Sequence, residues 1–234
     1  MEEPSSPRRK RGPTRSLDVE RIVDAALALI DAAGPSSLGI RGVAARLGVR
    51  PNALYTYVAD RAALERAVAE RVLSLADISV LADPSRPWRD RLMGYALGLR
   101  ATLLAHPGAA TLLMSAPMDG PTAVTIGELI LVALEEGGLE ATDSARATYL
   151  LIVLVLGSVA LDVAETDGRA PLAPESQRTA ARRAALDAVD PAMLPRTAAG
   201  VEVMAGWIGE EQFRWALDTV LSGLSRPRVP CSRT

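Results

Sequence analysis

What this chain most lacks is reactive chemistry: its 234 residues include one cysteine, one histidine and one lysine, and aromatics make up only 3%. The lone Cys231 excludes a disulfide framework or a cysteine-based zinc site within one chain, and a reducing cytoplasm is the expected setting. With His106 as the only imidazole, the usual acid–base and nucleophile pairings lack members, and there is no phosphate-cradling glycine loop or metal cluster. Neither an enzyme nor a cofactor is expected. The chain starts with acids and prolines, so no signal peptide is expected. The longest uncharged apolar run, Tyr149 to Leu161, stops at Asp162, well short of the roughly 20 residues that span a bilayer. No membrane partner is expected.

Hydrophobic residues nonetheless make up 49%. With so few rings, the core must come from Ala, Leu and Val, a mixture that favours helices. No half-buried strand is evident as an alternating stretch. The fold class that follows is all-α.

The net charge of −2 hides an asymmetry, because up to Asp60 nine Lys/Arg face seven Asp/Glu. Arg8, Arg9, Lys10, Arg11 and Arg15 cluster among the prolines of residues 1–15, which read as a flexible basic arm. Ser16 is the expected N-cap of a first helix that Gly34-Pro35 ends. A long helix is expected from Asp60 to about residue 82, and a break follows at residues 83–87. Further helices are expected at about 88–105, 109–115, 121–136, 142–165 and 209–224. Four prolines and several charges make residues 167–198 read as a long loop or partly ordered excursion.

The informative segment is residues 40–61, IRGVAARLGVRPNALYTYVADR. Two short helices there flank the turn Gly48-Val49-Arg50. Ala44 is small where the second helix must approach, and Gly48 can take the left-handed conformation the turn requires. Val43, Leu47, Val49, Leu54 and Val58 supply the locking faces. This is a helix-turn-helix, and it turns Arg50, Asn52, Ala53, Tyr55, Thr56 and Tyr57 outward. Asn can pair with adenine, methyls can touch thymine and tyrosine hydroxyls can hold phosphates, so double-stranded DNA is the expected partner. With a DNA-binding motif beside it, the basic arm becomes a minor-groove contact.

From Ser16 to about Leu73 the chain resembles the DNA-binding domain of the TetR family, through the entry helix, Ala-Ala-Arg-Leu-Gly-Val and Leu54-Tyr55-Thr56-Tyr57-Val58. The resemblance implies that Arg41 and the face from Pro51 to Ala53 read bases. It also implies that Tyr55 touches bases and backbone, and that Tyr57 and Arg61 hold phosphate. Arg50 departs from the pattern, because many relatives have a capping Ser or Thr there. Arg cannot accept the amide bonds a cap must satisfy, so it offers a phosphate or guanine contact instead.

The last helix, from Phe213-Arg214-Trp215 onward, resembles the tetracycline-repressor-like subgroup. The implication is a homodimer through helices at about 142–165 and 209–224, with a small-molecule effector bound inside the C-terminal bundle. The expected organisation is an arm over 1–15, a helix-turn-helix domain over 16–62, and a ligand-binding and dimerisation domain over 63–234. The expected function is a one-component repressor released from a palindromic operator by its effector. The competing reading is a helical ligand-binding or interaction adaptor without DNA binding. Candidate effector residues are Trp88, Tyr95, Arg100, His106, Met114, Tyr149 and Trp207, with Met93 and Met118 beside them. His106 also reads as a helix-terminal side chain on free carbonyls.

Overall fold

The computed structural model describes residues 17–164 and 166–224, and no strand occurs among them. The first helix, α1 (Val19–Ala33), is capped by Asp18, whose carboxylate accepts from the Arg21 amide at 2.8 Å. That replaces the cap expected of Ser16, which lies outside the described residues. The reason is positional: Asp18 sits one residue before the helix, in extended backbone, where its oxygen reaches the third helical amide.

Helices α2 (Ile40–Leu47) and α3 (Pro51–Leu54) pack against each other at the turn. Gly48 there has φ 69° and ψ 28°, the left-handed state. The Val49 amide reaches back to the Ala44 carbonyl at 3.0 Å and the Gly48 amide to Ala45 at 3.2 Å. These two bonds form a Schellman closure, and a side chain at position 48 would meet the left-handed penalty. The regular part of α3 ends at Leu54, before the tyrosines. Tyr57 and Val58 still donate to the Leu54 carbonyl, both at 2.9 Å, so residues 55–57 form a closed turn and Leu54 and Val58 stay buried.

Asp60 caps α4 (Arg61–Leu75) through the Ala63 amide at 2.7 Å. This helix ends earlier than expected. Ala76 is extended, and Asp77 accepts from the Ser79 amide at 2.9 Å, which starts the separate α5 (Ser79–Ala82). An acid that satisfies amides two residues ahead competes with helix continuation.

The bundle continues with α6 (Trp88–Ala105), α7 (Pro107–Ser115), α8 (Pro121–Glu136) and α9 (Ala141–Val163). Its core is aliphatic, with Leu64, Leu81, Leu103, Leu113 and Leu134 fully buried. Residues 167–198 take the partly ordered form of the two expected, since α10 (Glu175–Leu186) and most of α11 (Pro195–Ala199) lie in them, followed by α12 (Val201–Ala205). The prolines bracket these helices: Pro174 precedes α10 and Pro195 opens α11. The last helix, α13 (Glu210–Leu224), buries Phe213, Leu217 and Leu221 against α6 and α9.

By length and composition α9 could cross a membrane, with 23 residues and mean hydropathy 1.8. It extends well beyond the 13-residue run that the sequence marks out. One face packs on α6, α7 and α8. The other leaves Tyr149, Leu150, Val153 and Leu161 exposed. Near its end Asp162 is buried and ion-paired with Arg100 at 2.6 Å and Arg178 at 3.1 Å. Burial pushes this carboxyl above the ordinary carboxylate range, a rise that the two guanidiniums offset only in part.

Candidate functional site

Two regions carry candidate chemistry. The first is the outward surface of α2, α3 and the following turn. Ile40, Val43 and Ala44 are buried on the inner face of α2, which leaves Arg41 and Arg46 exposed. Leu54 anchors α3 at 0% exposure, so Pro51 and Asn52 stand in solvent and Ala53 is half-buried. Tyr55, Thr56 and Tyr57 are exposed on the closed turn. Arg50 precedes α3 in extended backbone with no side-chain cap bond, as an arginine there must. Arg61 begins α4, just beyond that turn, and pairs with Glu65 at 2.8 Å.

All nine described members of the expected DNA-contacting set are therefore grouped in one continuous segment or on the helix leading into it. Arg46, an exposed cation in the last turn of α2, was not among the expected contacts. Its signal is its place outside the apolar positions Ile40, Val43, Ala44 and Leu47 of the same helix. Arg8, Arg9, Lys10, Arg11 and Arg15 lie outside the described residues.

The second region is a cavity of about 210 Å³ between α4, α6, α7, α8 and α9. Leu73 of α4, Leu92, Tyr95, Ala96 and Leu99 of α6, and Leu113 of α7 line one side. Met118, then Ala123, Val124, Ile126, Gly127 and Ile130 on α8, and Leu151, Ile152, Val155 and Leu156 on α9 supply the other positions. Of the residues expected to meet an effector, the cavity takes Tyr95 and Met118 and leaves the rest outside. Each exclusion has a physical cause. Arg100 is buried, but Asp162 and the Ile208 carbonyl (2.8 Å) hold its guanidinium, which lies over the Phe213 ring. His106 turns its Nδ1 to Asp31 of α1 at 2.8 Å. Trp88 packs against Gly137, where a Cβ would clash with its ring. Met93 packs on the core without reaching the cavity, and Met114 is exposed on α7. Tyr149 is 70% and Trp207 52% exposed, so both belong to the outer surface.

The leucines and isoleucines of the wall carry no signal in the sequence, because at helical spacing they cannot be told from ordinary core. Tyr95 is the exception by chemistry. It is 4% exposed, and its hydroxyl has no hydrogen-bond partner among the described residues. Burial pushes that hydroxyl far above its ordinary pKa, so it is a neutral donor at physiological pH.

The two regions share α4. Its Glu70 carboxylate accepts from the Thr122 amide at 2.8 Å and the Ala123 amide at 3.4 Å, which caps the start of α8. Gly120 allows this approach, because a Cβ there would lie 2.1 Å from a Glu70 oxygen. One turn further along α4, Leu73 lines the cavity beside Ala123. A second contact with the first helix runs from Arg71 to Asp24 at 2.9 Å.

Both regions have counterparts among known proteins. The family model described as "Bacterial regulatory proteins, tetR family" matches residues 22–68, and "Tetracyclin repressor-like, C-terminal domain" matches residues 81–227. An HTH-type transcriptional regulator of Saccharopolyspora erythraea is 32% identical over 146 residues, or 62% of this chain; the match spans 61% of that protein's length. Tetracycline repressor protein class A from transposon 1721 of Escherichia coli is 31% identical over 182 residues, covering 75% of this chain and 82% of its own. A solved TetR transcriptional regulator of Streptomyces coelicolor superposes with a TM-score of 0.73 at 27% identity, covering 90% of this chain and 98% of that one.

Proposed function

The chain belongs to the TetR family of bacterial regulatory proteins, and we propose that it is a transcriptional repressor: a homodimer that grips a palindromic operator and releases it when a small-molecule effector fills the cavity. The observation that carries this reading is α4, which starts directly after the tyrosine-bearing turn and ends in the cavity wall.

Residues 16–62 are taken as the DNA-binding unit and 63–234 as the effector and dimerisation unit, with α4 spanning the division. Arg41, Pro51, Asn52 and Ala53 face the bases of one half-site. Tyr55 and Thr56 meet base edges and backbone, while Arg50, Tyr57 and Arg61 hold phosphates. Two such surfaces must lie about 34–36 Å apart to engage successive major grooves, which a single chain cannot do. A second copy supplies the other surface. The exposed stripe of α9, with Trp215 of α13 beside it, gives that copy an apolar face to bury. A protein partner rather than lipid covers this stripe, and the cytoplasm, where operator DNA lies, is its compartment.

The coupling follows from the Glu70 cap. A ligand that displaces α8 moves the amides Glu70 holds and presses on Leu73, so α4 tilts and carries the recognition helix out of register. The ligand does this only by binding the released state more tightly, typically by about 1–3 kcal/mol. Regulation, not catalysis, is the activity.

The test is selection of bound DNA from a random duplex pool by the apo-protein. An enriched inverted repeat, bound with a steep salt dependence, is expected. Failure of a verified dimer to enrich any sequence would favour the adaptor reading.

A further inference from the structure

The cavity also specifies what can fill it. Its lining comes mainly from five helices and consists of Leu, Ile, Val, Ala, Met and Gly residues, with one tyrosine and no charged residue. At about 210 Å³ it falls below the ~300–1,000 Å³ of sites for drug-sized molecules. A charged ligand would lose its hydration and find no counter-ion there, a cost of several kcal/mol or more. The imidazole and guanidinium candidates of the bundle are already committed, His106 to Asp31 and Arg100 to Asp162.

One side chain breaks this uniform lining. Tyr95 lines the cavity, and its hydroxyl is buried with the rest of its ring and has no partner among the described residues. A buried donor left unpaired costs about 1–3 kcal/mol, so a phenol survives at such a position when something else meets it. Phe at position 95 would fill the same volume without that cost.

Resting on the reading of this cavity as the effector site, we propose that the effector is a compact, uncharged, largely apolar molecule carrying one hydrogen-bond acceptor, a carbonyl or ether oxygen, that receives the Tyr95 hydroxyl. Polyanionic, zwitterionic and metal-chelating molecules find no partner charge on this wall. Tyr95 is thus the specificity-determining residue of the site, and the aliphatic wall supplies affinity without direction.

Three bicyclic probes with nearly the same carbon body test this by calorimetry on the full-length protein. They are 2-acetylnaphthalene (one carbonyl), 2-ethylnaphthalene (no acceptor) and 2-naphthoate (an anion). The ketone should bind about three- to tenfold more tightly than the hydrocarbon, the range a single neutral hydrogen bond gives. The anion should bind at least about a hundredfold more weakly than the ketone. In Tyr95→Phe, a shape-conserving change, the ketone's advantage should disappear while hydrocarbon affinity holds. Equal or tighter binding of 2-naphthoate, or a ketone advantage that survives in Tyr95→Phe, would overturn the proposed ligand class and leave the cavity as the effector site. Absence of saturable binding by all three probes would overturn the cavity assignment itself. The DNA-binding reading would then rest on operator selection alone, which needs no ligand.

Discussion

The two ends of α4 work by opposite arrangements of the same materials. At its start, small and apolar residues such as Ala44, Val43 and Leu54 are buried so that Arg41, Asn52 and Tyr57 can stand in solvent. At its far end, Tyr95 and a shell of leucines line open space, and no charged residue is part of that lining. A surface that reads DNA must hold polar groups in fixed register, so its scaffold is tight and allows little choice. A cavity that takes a small molecule needs volume and slack, and many combinations of aliphatic residues supply that. One helix joining a stiff reader to a compliant pocket is a means of turning occupancy into displacement.

Breaking the bundle without touching the reader has the largest expected effect. Asp162→Ala leaves Arg100 buried without its carboxylate, a change that costs about 3–5 kcal/mol. Thermal denaturation should show a fall in Tm of many degrees. A Tm equal to that of the wild type would mean that the network linking α6, α9 and α10 contributes nothing to stability.

Changing the reader without touching the bundle comes next. Asn52→Ala should weaken operator binding by about 1–3 kcal/mol. It should also relax preference at a single base position in each half-site, read by repeating the selection with the variant. Melting should not change. Equal weakening on every sequence would reassign Asn52 to the backbone.

The smallest effect, and the one most specific to the link, concerns Glu70. Glu70→Ala removes the cap on α8, worth roughly 0.5–2 kcal/mol, and should leave apo-protein bound to operator with nearly wild-type affinity. What should shrink is the response to a cavity ligand, read as the ratio of operator affinities with and without it. Glu70→Gln, which keeps an acceptor at the same reach, should restore part of that ratio. An undiminished ratio in Glu70→Ala would remove this residue from the coupling route.

The same contrast explains why one region is legible in the amino-acid sequence and the other is not. The helix-turn-helix is legible because its residues break the packing pattern. Gly48 is needed at φ 69°, and polar side chains recur at positions where an ordinary bundle tolerates anything. The cavity is hidden, because Leu99, Leu113 and Ile130 obey the core pattern whether they face a neighbour or open space. Aromatic and charged residues point instead to Trp88, Arg100, Tyr149 and Trp207, which packing and ion pairing place elsewhere. Tyr95 stands out in the sequence for its ring, whereas what marks it in the fold is its unpartnered hydroxyl. Helix α10 is masked by the prolines around it, although its interior is built of Ala and Arg, both good helix formers. The break at Ala76 is masked because Asp77 acts through a local side-chain bond that leaves the apolar stripe intact.

The central claim, that occupancy of the cavity loosens the grip on DNA through α4, can be tested without knowing the effector. Gly127 lines the cavity, and a Cβ built there meets nothing within 4 Å, so Gly127→Phe places a ring in the space a ligand would take. The measurement is operator affinity of the folded, dimeric variant at fixed salt. A loss of roughly 5- to 150-fold, the range of ordinary allosteric coupling, is the predicted result. Wild-type affinity in a variant whose cavity no longer accepts 2-acetylnaphthalene would contradict the account.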